Sequence, residues 1–220
     1  MDFDFKWHVL WRYKAFMLEG MGITIIMAIV GMALAMILGL IIALMRLSGK
    51  GPLKIFADLY IQIFRATPLF VYLIWVFYGI SMLSGINVPA ITTGLICISM
   101  IHSAFLAETY RAGIESVPKG HREAGLSVGL SQFQVMRDIV LPQAIRTVLP
   151  PIANEFTVVF KSTTILGIIG VEELVRRAQH ATTVTYRPFE FYTAVAVLFI
   201  CMVMALSRLN MYIERRFRYQ

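Results

Sequence analysis

From Gly20 to Met45 the chain runs for 26 residues without a charged side chain. As a helix rising about 1.5 Å per residue this stretch is about 39 Å long, and crossing a hydrocarbon core takes only about 20 apolar residues. Such a run belongs in a membrane. The apolar region of a secretory signal peptide is about 7 to 15 residues and ends at a small-residue cleavage site, whereas this run is longer and starts well inside the chain. Composition agrees: 58% of the residues are hydrophobic and 15% charged, against about a quarter charged in soluble domains, and the mean hydropathy is +0.72.

No Asp, Glu, Lys or Arg occurs from Ala66 to Ala107, which is too long for one crossing. Its middle, Ser84-Gly85-Ile86-Asn87-Val88-Pro89, has the composition of a turn, so it reads as two spans. A fourth region covers Thr147 to Val171, interrupted by Glu155 and Lys161, and a fifth Phe191 to Ser207, with Arg208 able to snorkel at its end. The expectation is an all-α polytopic membrane protein with about five transmembrane helices at 20–46, 60–83, 89–110, 147–170 and 190–209. Residues 1–19 lie outside and 20–220 form one transmembrane domain.

Orientation follows from Lys and Arg, which accumulate in cytoplasmic loops. With the N-terminus out and the C-terminus in, twelve face the cytoplasm: Arg46, Lys50, Lys54, Arg111, Lys119, Arg122, Arg137, Arg146, Arg208, Arg215, Arg216 and Arg218. Six, namely Lys6, Arg12, Lys14, Arg176, Arg177 and Arg187, lie outside. The net charge of +7 is mostly this bias, so it speaks for topology and not for a nucleic-acid partner. Cys97 and Cys201 lie in apolar spans with no ligand spacing around them, and the four histidines form no metal motif. Among these, His102 alone sits where a polar lining residue or an interhelical hydrogen bond fits.

The longest cytoplasmic loop, 111–146, is more than a connection. Ser131 followed three residues later by Gln134 is a capping box, predicting a helix that starts there and runs toward Val140. A shorter helix is predicted over Lys119 to Leu126, with Gly125 and Gly129 loosening the chain between the two.

This loop resembles that of the integral-membrane permease subunits of bacterial ATP-binding cassette importers. Their pattern E-A-A-x(3)-G-x(9)-I-x-L-P is met here by Glu123, Ala124, Gly129, Ile139, Leu141 and Pro142, with Gly125 in place of the second Ala. The resemblance implies a coupling helix that docks in a cleft of the ATP-binding subunit through Glu123, Ala124, Gly125, Gly129, Leu130 and Ser131. A Gly at 125 is expected to loosen it by about 0.5 to 1 kcal/mol. "FRATPLFVYL", "SAFLAETYRAGIESVPKGHREAG", "PQAIRTVLPPIANEF" and "YRPFEFYTAV" resemble the branch that imports polar amino acids of the histidine, glutamine and glutamate type. The resemblance implies a bacterial inner-membrane location, a second permease subunit (identical or sister), a dimer of ATPases and an extracytoplasmic solute-binding protein. ATP and Mg would sit on the ATPase, and this chain would bind no cofactor or metal.

Polar groups at membrane depth cost free energy unless they face a partner or a wet cavity. Thr67, His102, Ser103, Asn154, Glu155, Thr157, Lys161, Ser162 and Thr163 are therefore the candidate substrate path. Glu155 and Lys161 are six helical steps apart, about 240° around a regular helix, and so do not share a face. Two arrangements fit. Lys161 meets the substrate's carboxylate or completes a gating ion pair; alternatively it snorkels to the interface while Glu155 pairs with a neighbouring helix. Ser162 stands where relatives often carry Asp, Glu or Asn, which weakens a cationic substrate, although Glu155 leaves it open. Pro68, Pro150 and Pro151 are candidate kinks. No G-x(4)-G-K-[ST] occurs, so ATP hydrolysis would come from another polypeptide. The competing reading is a small ion-coupled secondary amino acid transporter using Glu155 and Lys161, but no inverted repeat accompanies it. A membrane enzyme lacks a catalytic constellation.

Overall fold

A computed structural model describes residues 5–49 and 51–218. Lys50 and residues 1–4 of the expected outer segment lie outside the described residues. Among those described the chain is helical, without strands. In order, the helices are α1 His8–Leu47, α2 Pro52–Ala66, α3 Leu69–Ser84, α4 Ala90–Glu115, α5 Lys119–Ser127, α6 Gln132–Ile169, α7 Leu174–Thr185 and α8 Pro188–Arg218. Helices α1, α4, α6 and α8 are each long and apolar enough to span a bilayer, and α2 with α3 makes a fifth only as a bent pair.

Three elements differ from expectation. The stretch 60–83 is not one helix: α2 stops at Ala66 because Pro68 lacks an N–H and forces Thr67 into extended backbone, φ −90 and ψ 124. Helix α1 starts at His8, inside the segment 1–19 expected to precede the first span. Tyr13, Met17 and Met21 give its first turns an apolar stripe that packs with Leu174, Ala178 and Phe191. The capping-box helix does not end near Val140. It widens into a π turn over Val135–Val140 and continues through Pro150 and Pro151 as the fourth span. The wide turn falls where Pro142 offers no N–H to the carbonyl of Asp138, and the Gln143 side chain donates to the carbonyl of Ile139 at 2.7 Å.

The chain divides into two compact units, and the long helices contribute one stretch to each. The first comprises Met1–Ala33, Pro68–Ile98 and Thr157–Leu206. Its core is built on Met17, Leu174, Ala178, Ala181, Phe191 and Val195. Thr24, fully buried, donates to the carbonyl of Gly20 and accepts the N–H of Leu174, which ties α1 to the start of α7. The second comprises Leu34–Thr67, Ser99–Phe156 and Ser207–Gln220. Its buried clusters include one of Ile42, Ala43, Ala57, Ile61 and Ala107 and another of Val117, Val135, Val140 and Ala144. Gly39 lets α1 and α4 approach closely, since a Cβ there would stand 2.9 Å from both the Ser103 carbonyl oxygen and Leu106 Cβ. Small residues serve this purpose in membrane helix pairs, where lipid removes the usual apolar driving force.

Candidate functional site

The loop of the second unit is ordered from beneath. Val117, Val135, Val140 and Ala144 form its buried floor, with Ile114, Leu130 and Ile139 packed against them. Arg122 donates to the carbonyl of Ile114 at the end of α4. The turn between α5 and α6 passes through Gly129 at φ +87, a left-handed conformation that costs a residue with a Cβ about 1 kcal/mol or more. The expected capping box is present: Gln134 N–H donates to Ser131 Oγ at 3.3 Å, and Ser131 N–H to Gln134 Oε1 at 2.8 Å.

Within this loop Gly125 is buried, and a Cβ would meet Ile139 Cδ1 at 2.6 Å and Val135 Cγ2 at 3.0 Å. The glycine thus serves close packing of α5 on α6, a tertiary role beyond its effect on helix propensity. Above the floor Glu123, Ala124, Gly129 and Ser131 are exposed and Leu130 is half-buried. Val128 at 78% and Phe133 at 73% exposure add large apolar side chains beside them. The family pattern has no fixed letter at these two positions, so the sequence did not single them out.

The polar residues at membrane depth fall into both units. In the second, His102 on α4 is buried and its Nδ1 lies 2.6 Å from Glu155 Oε1 on α6. Glu155 therefore pairs with a neighbouring helix, as one of the two arrangements required. Ser103 is fully buried; its hydroxyl donates to the Met100 carbonyl and lies 2.8 Å from the Tyr60 hydroxyl. Its side chain joins α2 to α4. Thr67 caps α2 by donating to the carbonyl of Ile63, and Asn154 is exposed. In the first unit, Thr157 is half-buried and Lys161 is exposed, with no ion pair among the described residues. Ser162 and Thr163 donate to the carbonyls of Val158 and Phe160, where α6 tightens into a 3₁₀ turn over Thr163–Ile169. Their hydroxyl protons are spent on their own helix, leaving lone pairs as the remaining capacity.

An ion-pair network in the second unit was not anticipated. Arg46 near the end of α1 bridges Asp58 of α2, at 2.7 Å, and Glu108 of α4. Lys54 joins Asp58 at 2.7 Å, and Arg111 joins both Glu108 and Glu115. The i, i+3 and i, i+4 spacings within α2 and α4 were readable; Arg46, which links the helices, was not.

In the first unit, α7 follows the span with Glu173 as its N-cap, accepting from the N–H groups of Val175 at 2.9 Å and Arg176 at 2.7 Å. Glu173 is fully buried, and burial pushes its carboxyl up to about 7, Glu172 adding to this and the two N–H groups opposing it. Glu172 pairs with Arg176 and His180, and Arg177 with Glu19 of α1.

Membrane-length helices with polar groups at depth, joined by an ordered loop that presents an acidic and apolar tip, define a polytopic membrane component that works with a partner. The comparisons give that class its family. The chain belongs to the binding-protein-dependent transport system inner membrane components, whose pattern matches residues 31–219. It is 30% identical over 216 residues to the glutamine transport system permease protein GlnP of Escherichia coli (strain K12), covering 98% of this chain and 99% of that one. With the arginine transport system permease protein ArtQ of Bacillus subtilis (strain 168) it shares 31% over 203 residues, 92% and 93% of the two chains. A crystal structure of an amino acid ABC transporter with histidines superposes with a TM-score of 0.93 at 36% identity, covering 97% of this chain and all of that chain. An inward-facing methionine ABC transporter, MetNI, shares the fold at a TM-score of 0.78 and 18% identity. The match leaves the ion-coupled secondary transporter without support.

Proposed function

We propose that this chain is the translocating subunit of an ATP-binding cassette importer for polar amino acids in the bacterial cytoplasmic membrane. The observation that carries the reading is the ordered α5–α6 loop, with Glu123, Val128 and Phe133 exposed over a buried floor. Exposed apolar side chains beside a carboxylate are what a partner's cleft takes up. The partner is an ATPase dimer that holds ATP and Mg; a second permease completes the path and an extracytoplasmic binding protein delivers the solute. Nucleotide binding draws the loops together and shifts the spans between inward- and outward-facing states, and hydrolysis resets them. Glu155, held by His102, and the exposed Lys161 are the charged groups assigned to the path. The glutamine and arginine relatives both support an amino acid as cargo.

The test is ATP-driven uptake of a panel of labelled amino acids in proteoliposomes holding this chain, its ATPase and its binding protein. Uptake should require all three. Phe133→Ala should weaken docking by about 2 kcal/mol, roughly thirtyfold in affinity, and Glu123→Lys should abolish coupled uptake. Ion-driven uptake by this chain alone, indifferent to both substitutions, would refute the proposal.

A further inference from the structure

Between the outer ends of α1 and α8 the first unit holds a groove of about 550 Å³. Trp7, Trp11 and Leu18 form one wall and Val197 and Leu198 the other, with Lys14 the charged residue on its lining. Trp11, Lys14 and Leu18 are spaced i, i+3 and i+7, which puts them along one face of α1, and Trp7 stands in the turn that leads into it, its carbonyl accepting the N–H of Leu10. Trp7 is 51% and Trp11 73% exposed, and Lys14 Nζ stands 3.8 Å from the centroid of the Trp11 ring.

The charges around the groove are unequal. Among the described residues of this unit every carboxylate is engaged: Glu19 with Arg177, Glu172 with Arg176 and His180, Glu173 with two backbone N–H groups, Glu190 with Arg187 and the N–H of Lys6. Lys14 has no carboxylate partner among them. An apolar groove with an unpaired ammonium on its wall is complementary to an anion that carries a hydrocarbon tail.

Depth supports the same ligand. Lys14 stands six residues before the uncharged run that starts at Gly20, about 9 Å along a helix, comparable with the headgroup layer outside the roughly 30 Å hydrocarbon core. Trp at this level is the usual interfacial anchor. Leu18, Val197 and Leu198 continue the groove into the apolar layer. We propose that this groove binds an anionic phospholipid, its phosphate on the Lys14 ammonium and an acyl chain along Leu18, Val197 and Leu198.

The test uses the full chain carrying Trp75→Phe, so that only Trp7 and Trp11 fluoresce, in phosphatidylcholine vesicles. A minor fraction of either brominated phosphatidylglycerol or brominated phosphatidylcholine is added as quencher. Phosphatidylglycerol should quench with an apparent association about fivefold stronger, the scale of one basic residue near an anionic surface. Lys14→Gln should abolish the preference and Lys14→Arg should keep it. Equal quenching by the two lipids, or a preference that survives Lys14→Gln, would overturn the proposal. Absence of quenching by either would overturn it too and assign the groove to a protein neighbour, such as a second copy of this chain.

Discussion

Gly39→Ala is expected to destabilise the protein through the contact of α1 with α4. The new Cβ would lie 2.9 Å from the Ser103 carbonyl oxygen, 2.9 Å from Leu106 Cβ and 3.3 Å from the Ala107 nitrogen. Two of these atoms are backbone and the third is bonded directly to it, so no side-chain rotation relieves the overlap. The helices must part by about 0.5 to 1 Å, a gap that forfeits a quarter to a half of each dispersion contact along the seam. Overpacking of this kind costs about 1 to 3 kcal/mol. Against it stands the gain of about 0.5 to 1 kcal/mol for replacing Gly by Ala in a helix. Gly22→Ala on the same helix isolates the contact, because a Cβ there meets nothing within 4 Å. Propensity is common to both variants, so their difference in unfolding free energy should be about 1 to 3 kcal/mol, with Gly39→Ala the less stable. Reversible unfolding of each variant in mixed detergent micelles measures it. Equal stability of the two, or a more stable Gly39→Ala, would refute the close approach of α1 and α4.

Ser131→Ala should remove one half of the capping box and cost about 0.5 to 2 kcal/mol of local stability. Amide exchange at Gln132 to Val135 should rise accordingly, while Ser127→Ala, whose hydroxyl bonds the Glu123 carbonyl, should leave those amides unchanged. Glu173 predicts a pH dependence. Its folded pKa of about 7 lies above the ordinary 4.5, so the folded state binds more protons between those values. The contribution is fully present below about 4.5 and is lost as pH rises through about 7, at no more than about 1.4 kcal/mol per pH unit. Thermal unfolding from pH 5 to 8 should show wild type losing stability relative to Glu173→Gln, and parallel curves would contradict the burial of this carboxylate.

Features carried by local sequence were legible in advance. Apolar runs marked the four long helices, that of α6 despite Glu155 and Lys161 within it, because a span needs only length and apolarity. The Ser131–Gln134 box formed as spaced, because a cap depends on residues three apart. Features set by distant residues were hidden. Glu155 found His102, 53 positions away, and Arg46 found Glu108 across 62. Gly125 looked like a flaw in a helix, and only Ile139 and Val135 above it explain the missing methyl. The early start of α1 had a signal in Tyr13, Met17 and Met21, masked by the charges among them. Pro68 was a recognised kink site, yet the residues around it could not tell a bent span from two helices.

One property of α6 bears on how force moves through a transporter. From Leu130 to Leu166 the sequence contains no glycine, and a single helix of 38 residues runs from Gln132 to Ile169. It is not uniform along its length: a π turn covers Val135–Val140, Pro142, Pro150 and Pro151 lack the N–H that would bond the carbonyl four residues back, and the last turns are 3₁₀ over Thr163–Ile169. Each such place yields more easily than an unbroken ladder of backbone hydrogen bonds, so displacement of the capped end is taken up partly as bending of α6. Where α6 gives is then set by its prolines, which all lie in the part of the helix that belongs to the second unit. Replacing Pro150 and Pro151 by alanine would restore the ladder midway along α6 and change how much cargo movement follows a given movement of the loop.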